Sequence, residues 1–292
     1  MQCRSLITGL VLVATLSAGC ARSRIGFTPE TPRPIDPSAK PEILAPAAPL
    51  KGRQAQDFIT AASPADGVVA LDSAVIRNVA AQVSPAVVSI FTKTKMPWRF
   101  KLLPIPTSGL RFSVDGEALG SGFFIHEDGW ILTNAHVLEN ATAVTVRTED
   151  GRDFAVELAA RDQVYDLALL KVVAPDRKFA VIPMADSADA LIGDWVIAVG
   201  NPLGLGHTVT HGIVSQTGRE LNPELKSGER QIRFLQTDTP INPGSSGGPL
   251  VTLSGAFIGV NTAVLVNSQG ISFCVPTQQV REFIDAVLQG GP

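Results

Sequence analysis

The chain has 292 residues, with 24 Lys and Arg against 27 Asp and Glu and a formal net charge of −3. With no basic block, attraction to a nucleic-acid backbone has no electrostatic source, and nucleic-acid binding is excluded as a reading. Three cysteines exclude a disulfide-built scaffold, so any fold must rest on its apolar core.

Residues 1–20 open on Arg4, continue through an apolar stretch from Leu6 to Leu16 and end in Ser17-Ala18-Gly19-Cys20. That stretch is too short to span a bilayer comfortably and reads as an export signal. The small residues before Cys20 resemble a bacterial lipobox, in which Cys20 becomes the lipidated first residue. Leu16 stands one position earlier than the commonest pattern, and a plain cleaved signal is the alternative. Residues 21–70 read as a disordered tether. Residues 28–66 hold eight of the 21 prolines and one aromatic, Phe58, so they cannot bury enough apolar surface to offset their ordering entropy. The expectation is an exported protein of the periplasm or cell envelope, anchored to a membrane through Cys20. Cys3 leaves with the signal, so Cys274 remains alone in the folded unit and no disulfide forms within it.

The folded unit is expected over 71–290. Leu71, Val75, Val79 and Val83 recur at helical spacing, with Asp72 or Ser73 as cap and Pro85 as stop. Short β-prone runs follow near 86–92, 119–125, 129–133, 142–147, 153–159 and 167–173. After a break across 174–193 a second set lies near 194–200, 208–215, 232–237, 248–253, 256–263 and 270–275. Six and six predict an all-β fold of two closed six-stranded antiparallel β-barrels, about 86–173 and 194–275, with no sheet edge left open. Lys93 to Ala118, with Trp98, Phe100, Phe112 and three prolines, reads as a long loop, either functional or a plain insertion. Val280, Phe283, Ile284, Val287 and Leu288 form one apolar face of a C-terminal helix over Thr277–Gln289, expected to pack on the second barrel.

Chemistry concentrates in Thr237-Asp238-Thr239-Pro240-Ile241-Asn242-Pro243-Gly244-Ser245-Ser246-Gly247-Gly248-Pro249-Leu250. A serine among glycines suits a nucleophile in a tight turn, with backbone N–H groups near Gly244, Ser245 and Ser246 as an oxyanion hole. A Gly/Ser-rich surface loop is the plainer alternative. Gly244 to Gly248 also fits G-x-S-x-G, but an α/β-hydrolase places its acid and histidine after the serine. All four histidines, His126, His136, His207 and His211, precede it. The order His, Asp, Ser remains open. His136 ends the apolar run Trp130-Ile131-Leu132-Thr133-Asn134-Ala135, where a general base is strand-anchored and unhindered. His126 precedes Glu127-Asp128-Gly129, a hairpin turn. His207 and His211 lack a neighbouring Cys or carboxylate, so no metal and no cofactor are expected. Asp166 opens the apolar strand Leu167 to Val172 and needs a partner there. Asp162, between Arg161 and Gln163, reads as exposed loop and is the competitor.

Five segments together resemble the HtrA/Deg family of serine proteases: Gly120-Ser121-Gly122-Phe123-Phe124-Ile125, Thr133 to Val137, Asp166 to Lys171, Ala198 to Gly204 and Gln236 to Leu250. The likeness covers about 72–288. It implies a trypsin-like fold and a serine endopeptidase with His136 as base, Asp166 as acid and Ser246 as nucleophile. Gly244 and Ser245 match the residues whose backbone shapes the oxyanion hole, and Ile241, with Val264, matches an apolar substrate-binding pocket. The family usually has Asn where this chain has Ser245. Its members usually continue into PDZ domains, and none is expected here. Implied partners are unfolded or damaged polypeptides, with small aliphatic side chains at the cleavage position, and a homotrimeric assembly. The rival reading is a non-proteolytic chaperone or scaffold that retains the protease fold.

Overall fold

The computed structural model describes residues 42–43, 72–98, 112–174, 176–201, 206–221, 230–242, 244–264 and 270–290. Its elements in chain order are β1 (Glu42–Ile43), α1 (Ser73–Val83), β2 (Val87–Trp98), β3 (Phe112–His126), β4 (Trp130–Thr133), β5 (Ala141–Arg147), β6 (Asp153–Asp162), β7 (Leu167–Val172), β8 (Trp195–Gly200), β9 (Thr208–Arg219), β10 (Phe234–Thr237), β11 (Pro249–Thr252), β12 (Phe257–Val264), β13 (Ser272–Pro276) and α2 (Thr277–Leu288). Strands β6-β5-β2-β3-β4-β7 form one antiparallel barrel, closed by the pairing of β6 with β7. Strands β10-β13-β12-β11-β8-β9 form the second, closed by β9 with β10. The all-β, two-barrel architecture with an N-terminal and a C-terminal helix is the one expected.

Alternation along each strand divides the apolar residues between two environments. Ile131, Ala168, Leu170 and Val172 point into the first barrel. Their neighbours Trp130, Leu132, Leu167 and Leu169 face a seam between the barrels. In the second barrel Val196 and Ala198 point inward, whereas Ile197 and Val199 face the same seam. Both faces of these strands are buried, so their sequence is continuously apolar rather than alternating. Phe123 of β3 meets Phe257 of β12 across the seam edge-on, ring centroids 4.8 Å apart. The helices seal the seam with Val79 and Val83 of α1 and with Val280, Phe283, Ile284 and Val287 of α2. Asp72 caps α1, its carboxylate accepting from the N–H groups of Ala74 at 2.6 Å and Val75 at 3.0 Å.

Two expectations need correction. The segment from Lys93 to Ala118 is not simply a loop: β2 and β3 stay in register from Val87↔Phe123 to Trp98↔Phe112, so a hairpin projects from the barrel. Pairing of β2 with β5 ends at Thr94↔Ala141. Among the described residues no strand pairs with β2 on that side beyond Thr94, and Pro97 falls in this stretch, where a proline is tolerated. Residues 99–111 lie outside the described residues. The second correction concerns the tether. Glu42 and Ile43 pair antiparallel with Arg161 and Ala160 of β6. They fall in a proline-free stretch between Pro41 and Pro46, where backbone N–H groups are free to join a ladder. Residues 1–20, read as an export signal with Cys20 as its lipid site, and the remainder of 21–70 lie outside the described residues.

Candidate active site

β4 pairs with β7 up to Thr133↔Ala168, so the chain leaves β4 and enters β7 at the same end of adjacent strands. His136 begins a single 3₁₀ turn just past β4, and Asp166 immediately precedes β7. This placement brings the two side chains together. His136 Nδ1 lies 2.8 Å from Asp166 Oδ2, and the His136 backbone N–H donates to Asp166 Oδ1 at 2.9 Å. Two parallel contacts to one carboxylate fix the imidazole orientation and put the Nδ1 proton toward Asp166, leaving Nε2 as the basic nitrogen.

Asp166 has φ of 53°, in the left-handed region, which costs a non-glycine residue about 1–2 kcal/mol. Its surroundings hold it there. Asn134 Nδ2 donates to the Asp166 carbonyl at 2.9 Å. Asp162 Oδ1 accepts from the N–H groups of Val164 at 2.9 Å and Tyr165 at 3.0 Å, shaping the turn that presents Asp166. The reading of Asp162 as exposed loop is therefore overturned, since it is 1% exposed. Its second oxygen pairs with Arg230, whose guanidinium lies 4.3 Å over the Tyr165 ring. The Tyr165 hydroxyl in turn donates to Glu282 Oε2 of α2 at 2.6 Å. A charge flanked by Arg161 and Gln163 looks solvated in sequence because its cation comes from 68 residues away.

Burial by itself would lower the His136 pKa. The hydrogen bond and charge of Asp166, with a smaller contribution from Glu139, outweigh it and hold the imidazole above the ordinary histidine value. Thr262 completes the surroundings of the acid. Its hydroxyl donates to Asp166 Oδ2 at 2.5 Å, while its carbonyl accepts from the Ser246 hydroxyl at 3.2 Å. Ser246 thus joins the His136–Asp166 pair through Thr262. Among the described residues it makes no hydrogen bond to His136.

Ser246 sits in a turn built from backbone. The N–H of Ser245 donates to the Asn242 carbonyl at 2.9 Å, and Gly244 has φ of 93°, a conformation that favours glycine. Gly247 donates to the Asn261 carbonyl at 2.8 Å and Gly248 to the Ser245 carbonyl at 3.1 Å. Within 244–248 the N–H groups with no acceptor among the described residues are those of Gly244 and Ser246. The Ser245 N–H, by contrast, is committed inside the turn. Gly247 has φ of 85°, and a Cβ there would stand 2.1 Å from the Ser121 carbonyl oxygen and 2.3 Å from Thr133 Oγ1.

The other candidate residues are placed as follows. Ile241 is buried in the interior cluster of the second barrel, with Val196, Leu250 and Cys274 among its members. The Val264 side chain lies outside the described residues. His126 accepts from the Asp128 N–H in the β3–β4 turn, at 3.1 Å. His207 reaches the Val87 carbonyl at 3.2 Å, and His211 packs beside Trp195. Burial raises the Cys274 thiol pKa steeply, and the thiol donates to Asn261 Oδ1 at 3.2 Å, which keeps it unreactive.

Sequence reasoning missed Thr262, Asn134 and Ser121 as parts of the site. Strand parity is the signal that finds one of them: Ser121, Phe123 and Ile125 lie two apart on β3, and the last two face the seam. A buried serine continuing that face must meet the other barrel.

A family model described as trypsin-like peptidase domain matches residues 120–260. The solved structure of the HtrA-type protease AlgW with decapeptide is 34% identical, with a TM-score of 0.60, over 74% of this chain and 68% of that one. This chain belongs to the HtrA-type proteases. Among curated relatives, the serine protease HhoA of Synechocystis is 39% identical over 73% of this chain and 57% of its own length. A DegP-like periplasmic serine endoprotease of Brucella suis is 43% identical over 60% of this chain and 34% of its own length. The matched region thus spans between about a third and somewhat over half of these relatives.

Proposed function

We propose that this HtrA-type protein is a serine endopeptidase in which His136, Asp166 and Ser246 act as one unit. The observation that carries the reading is the link from His136 through Asp166 and Thr262 to Ser246, beside two backbone N–H groups with no acceptor among the described residues. His136 Nε2 takes the hydroxyl proton as Ser246 Oγ attacks the scissile carbonyl. That step requires the Ser246 hydroxyl to leave the Thr262 carbonyl and turn to Nε2, a tightening expected when substrate binds. The N–H groups of Gly244 and Ser246 receive the oxyanion, Asp166 balances the imidazolium, and His136 returns the proton to the leaving amine. Water then attacks the acyl-enzyme by the same base.

The substrates proposed are unfolded or damaged polypeptides, with Ile241 and Val264 walling a pocket for small aliphatic side chains. The periplasmic relatives, together with the reading of residues 1–20 as an export signal, support a periplasmic or envelope location; Cys20 as lipid anchor and a homotrimer as assembly are further parts of the proposal. Replacing Ser246→Ala is expected to lower kcat by about 10⁶-fold, because the three groups act together. Fluorophosphonate labelling of the wild-type protein, with and without an unfolded substrate, decides between readings. Persistent silence in both conditions replaces the endopeptidase with a chaperone or scaffold, the reading favoured by a Ser246 hydroxyl bonded away from His136.

A further inference from the structure

Ser121 stands in the first barrel, on the β3 face that meets the second, and is fully buried. It makes four hydrogen bonds. Its hydroxyl donates to the Gly244 carbonyl at 2.6 Å and accepts from the Asn201 N–H at 2.9 Å. Its own N–H donates to the Ser246 carbonyl at 2.9 Å, and its carbonyl accepts from Thr133 Oγ1 at 2.7 Å. Three of these four partners belong to the second-barrel side of the seam, and two belong to the turn that carries the nucleophile.

The consequence follows from which peptide planes are held. The plane joining Gly244 to Ser245 is pinned at its carbonyl by the Ser121 hydroxyl and at its N–H by the Asn242 carbonyl. The plane joining Ser246 to Gly247 is pinned at its carbonyl by the Ser121 N–H and at its N–H by the Asn261 carbonyl. The plane before the first and the plane between the two supply the Gly244 and Ser246 N–H groups, which have no acceptor among the described residues. Gly244, with no Cβ to restrict it, turns freely if its carbonyl is released. A rotation there would swing the oxyanion donors out of line, and catalysis of this kind depends on donors fixed before the reaction.

We propose that Ser121 is the positioning residue of the oxyanion turn: a side chain of the first barrel clamps alternate peptide planes of the second and thereby aims the N–H groups of Gly244 and Ser246. Ser121 touches no reacting atom. The inference rests on the endopeptidase reading for its catalytic part, and the clamp itself can be tested without turnover.

The test compares the full chain with Ser121→Ala, which removes one buried oxygen with its two hydrogen bonds and keeps the two backbone contacts, and with Ser121→Cys, which retains a weak donor. Hydrogen exchange reads the clamp: amides of 242–248 in Ser121→Ala are expected to exchange at least about 10-fold faster, with those of β7 and α2 unchanged. Kinetics read its use. Per fluorophosphonate-labelled site, kcat for a peptide substrate is expected to fall about 10- to 100-fold with KM nearly kept, short of the loss of a whole oxyanion donor. The Ki of a peptide aldehyde, which forms a tetrahedral adduct, rises in parallel, and Ser121→Cys lies between the two. A variant with unchanged exchange, or one whose kcat and aldehyde Ki per labelled site match wild type, overturns the proposal. So does a drop explained entirely by fewer labelled sites, which marks a merely structural role. Wild-type protein that neither labels nor cleaves removes the endopeptidase reading and the catalytic part of this inference together, while exchange still decides whether the clamp exists.

Discussion

The two halves of the candidate site are held by different means. His136 and Asp166 belong to one barrel, leave adjacent strands at the same end and meet through two direct contacts of 2.8 and 2.9 Å. Ser246 sits in a glycine-rich turn whose shape is held by backbone bonds and by Ser121 from the opposite barrel. The acid–base half is therefore preassembled by local topology. The nucleophile half depends on the seam between barrels, so chemistry and stability should respond differently when each is disturbed.

Breaking the first half should act on chemistry with little change in the fold. Asp166→Asn keeps the shape but removes the charge that favours the correct tautomer, and a loss of about 10⁴-fold in kcat is expected. The pH profile adds a sign. In wild type Asp166 holds the His136 pKa above about 6.5, the ordinary histidine value. Since the base must be neutral, kcat/KM rises with pH through a midpoint above that value. In Asp166→Asn burial remains and the raising charge is gone, so the residual activity should have its midpoint at lower pH. Stability runs the other way: the raised pKa stabilises the fold below the unfolded-state value and is lost as pH climbs through that of folded His136. An unchanged or higher midpoint in Asp166→Asn would falsify the electrostatic role given to Asp166.

Breaking the second half should cost stability first. Gly247→Ala forces a side chain onto φ of 85° and drives its Cβ to 2.1 Å from a backbone oxygen of the other barrel. The left-handed penalty alone is about 1–2 kcal/mol, and with the clash a total of about 3 kcal/mol or more is expected. The denaturant midpoint measures it, and a variant as stable as wild type would show that the turn is not packed against β3 as described.

The same division explains what was legible in the sequence. Strands such as Leu167–Val172 were readable because both of their faces are buried, one in a barrel and one in the seam, which produces unbroken apolar runs. The pair His136 and Asp166 was readable because each ends or begins such a run. Asp162 was not, since the residue that neutralises it, Arg230, is distant in sequence, and only flanking charges were visible. Pro97 hid the extended hairpin of β2 and β3, because a proline within a β-prone run reads as a break. Ser121 and Thr262 are single polar residues in apolar strands, and their meaning depends on what the opposite barrel or loop places beside them.

Thr262 connects the two halves, and a smaller perturbation there sharpens the contrast. Thr262→Val is close to isosteric and leaves the carbonyl that receives the Ser246 hydroxyl. What it removes is the 2.5 Å donor to Asp166 Oδ2. A hydrogen bond to a charged group contributes about 1.5–3 kcal/mol, part of which solvent recovers at this partly exposed carboxylate. A loss of about 10-fold in kcat/KM is therefore expected, well short of the loss for Asp166→Asn. The direction of the pH shift is the sharper readout. Without its second donor the Asp166 carboxylate concentrates more negative charge on the oxygen facing His136, so the imidazolium is held more strongly and the midpoint should move to higher pH. Opposite shifts in the two variants, down for Asp166→Asn and up for Thr262→Val, would place Thr262 as a brake on the acid–base pair. A shift in the same direction for both would reduce Thr262 to a packing residue between the halves.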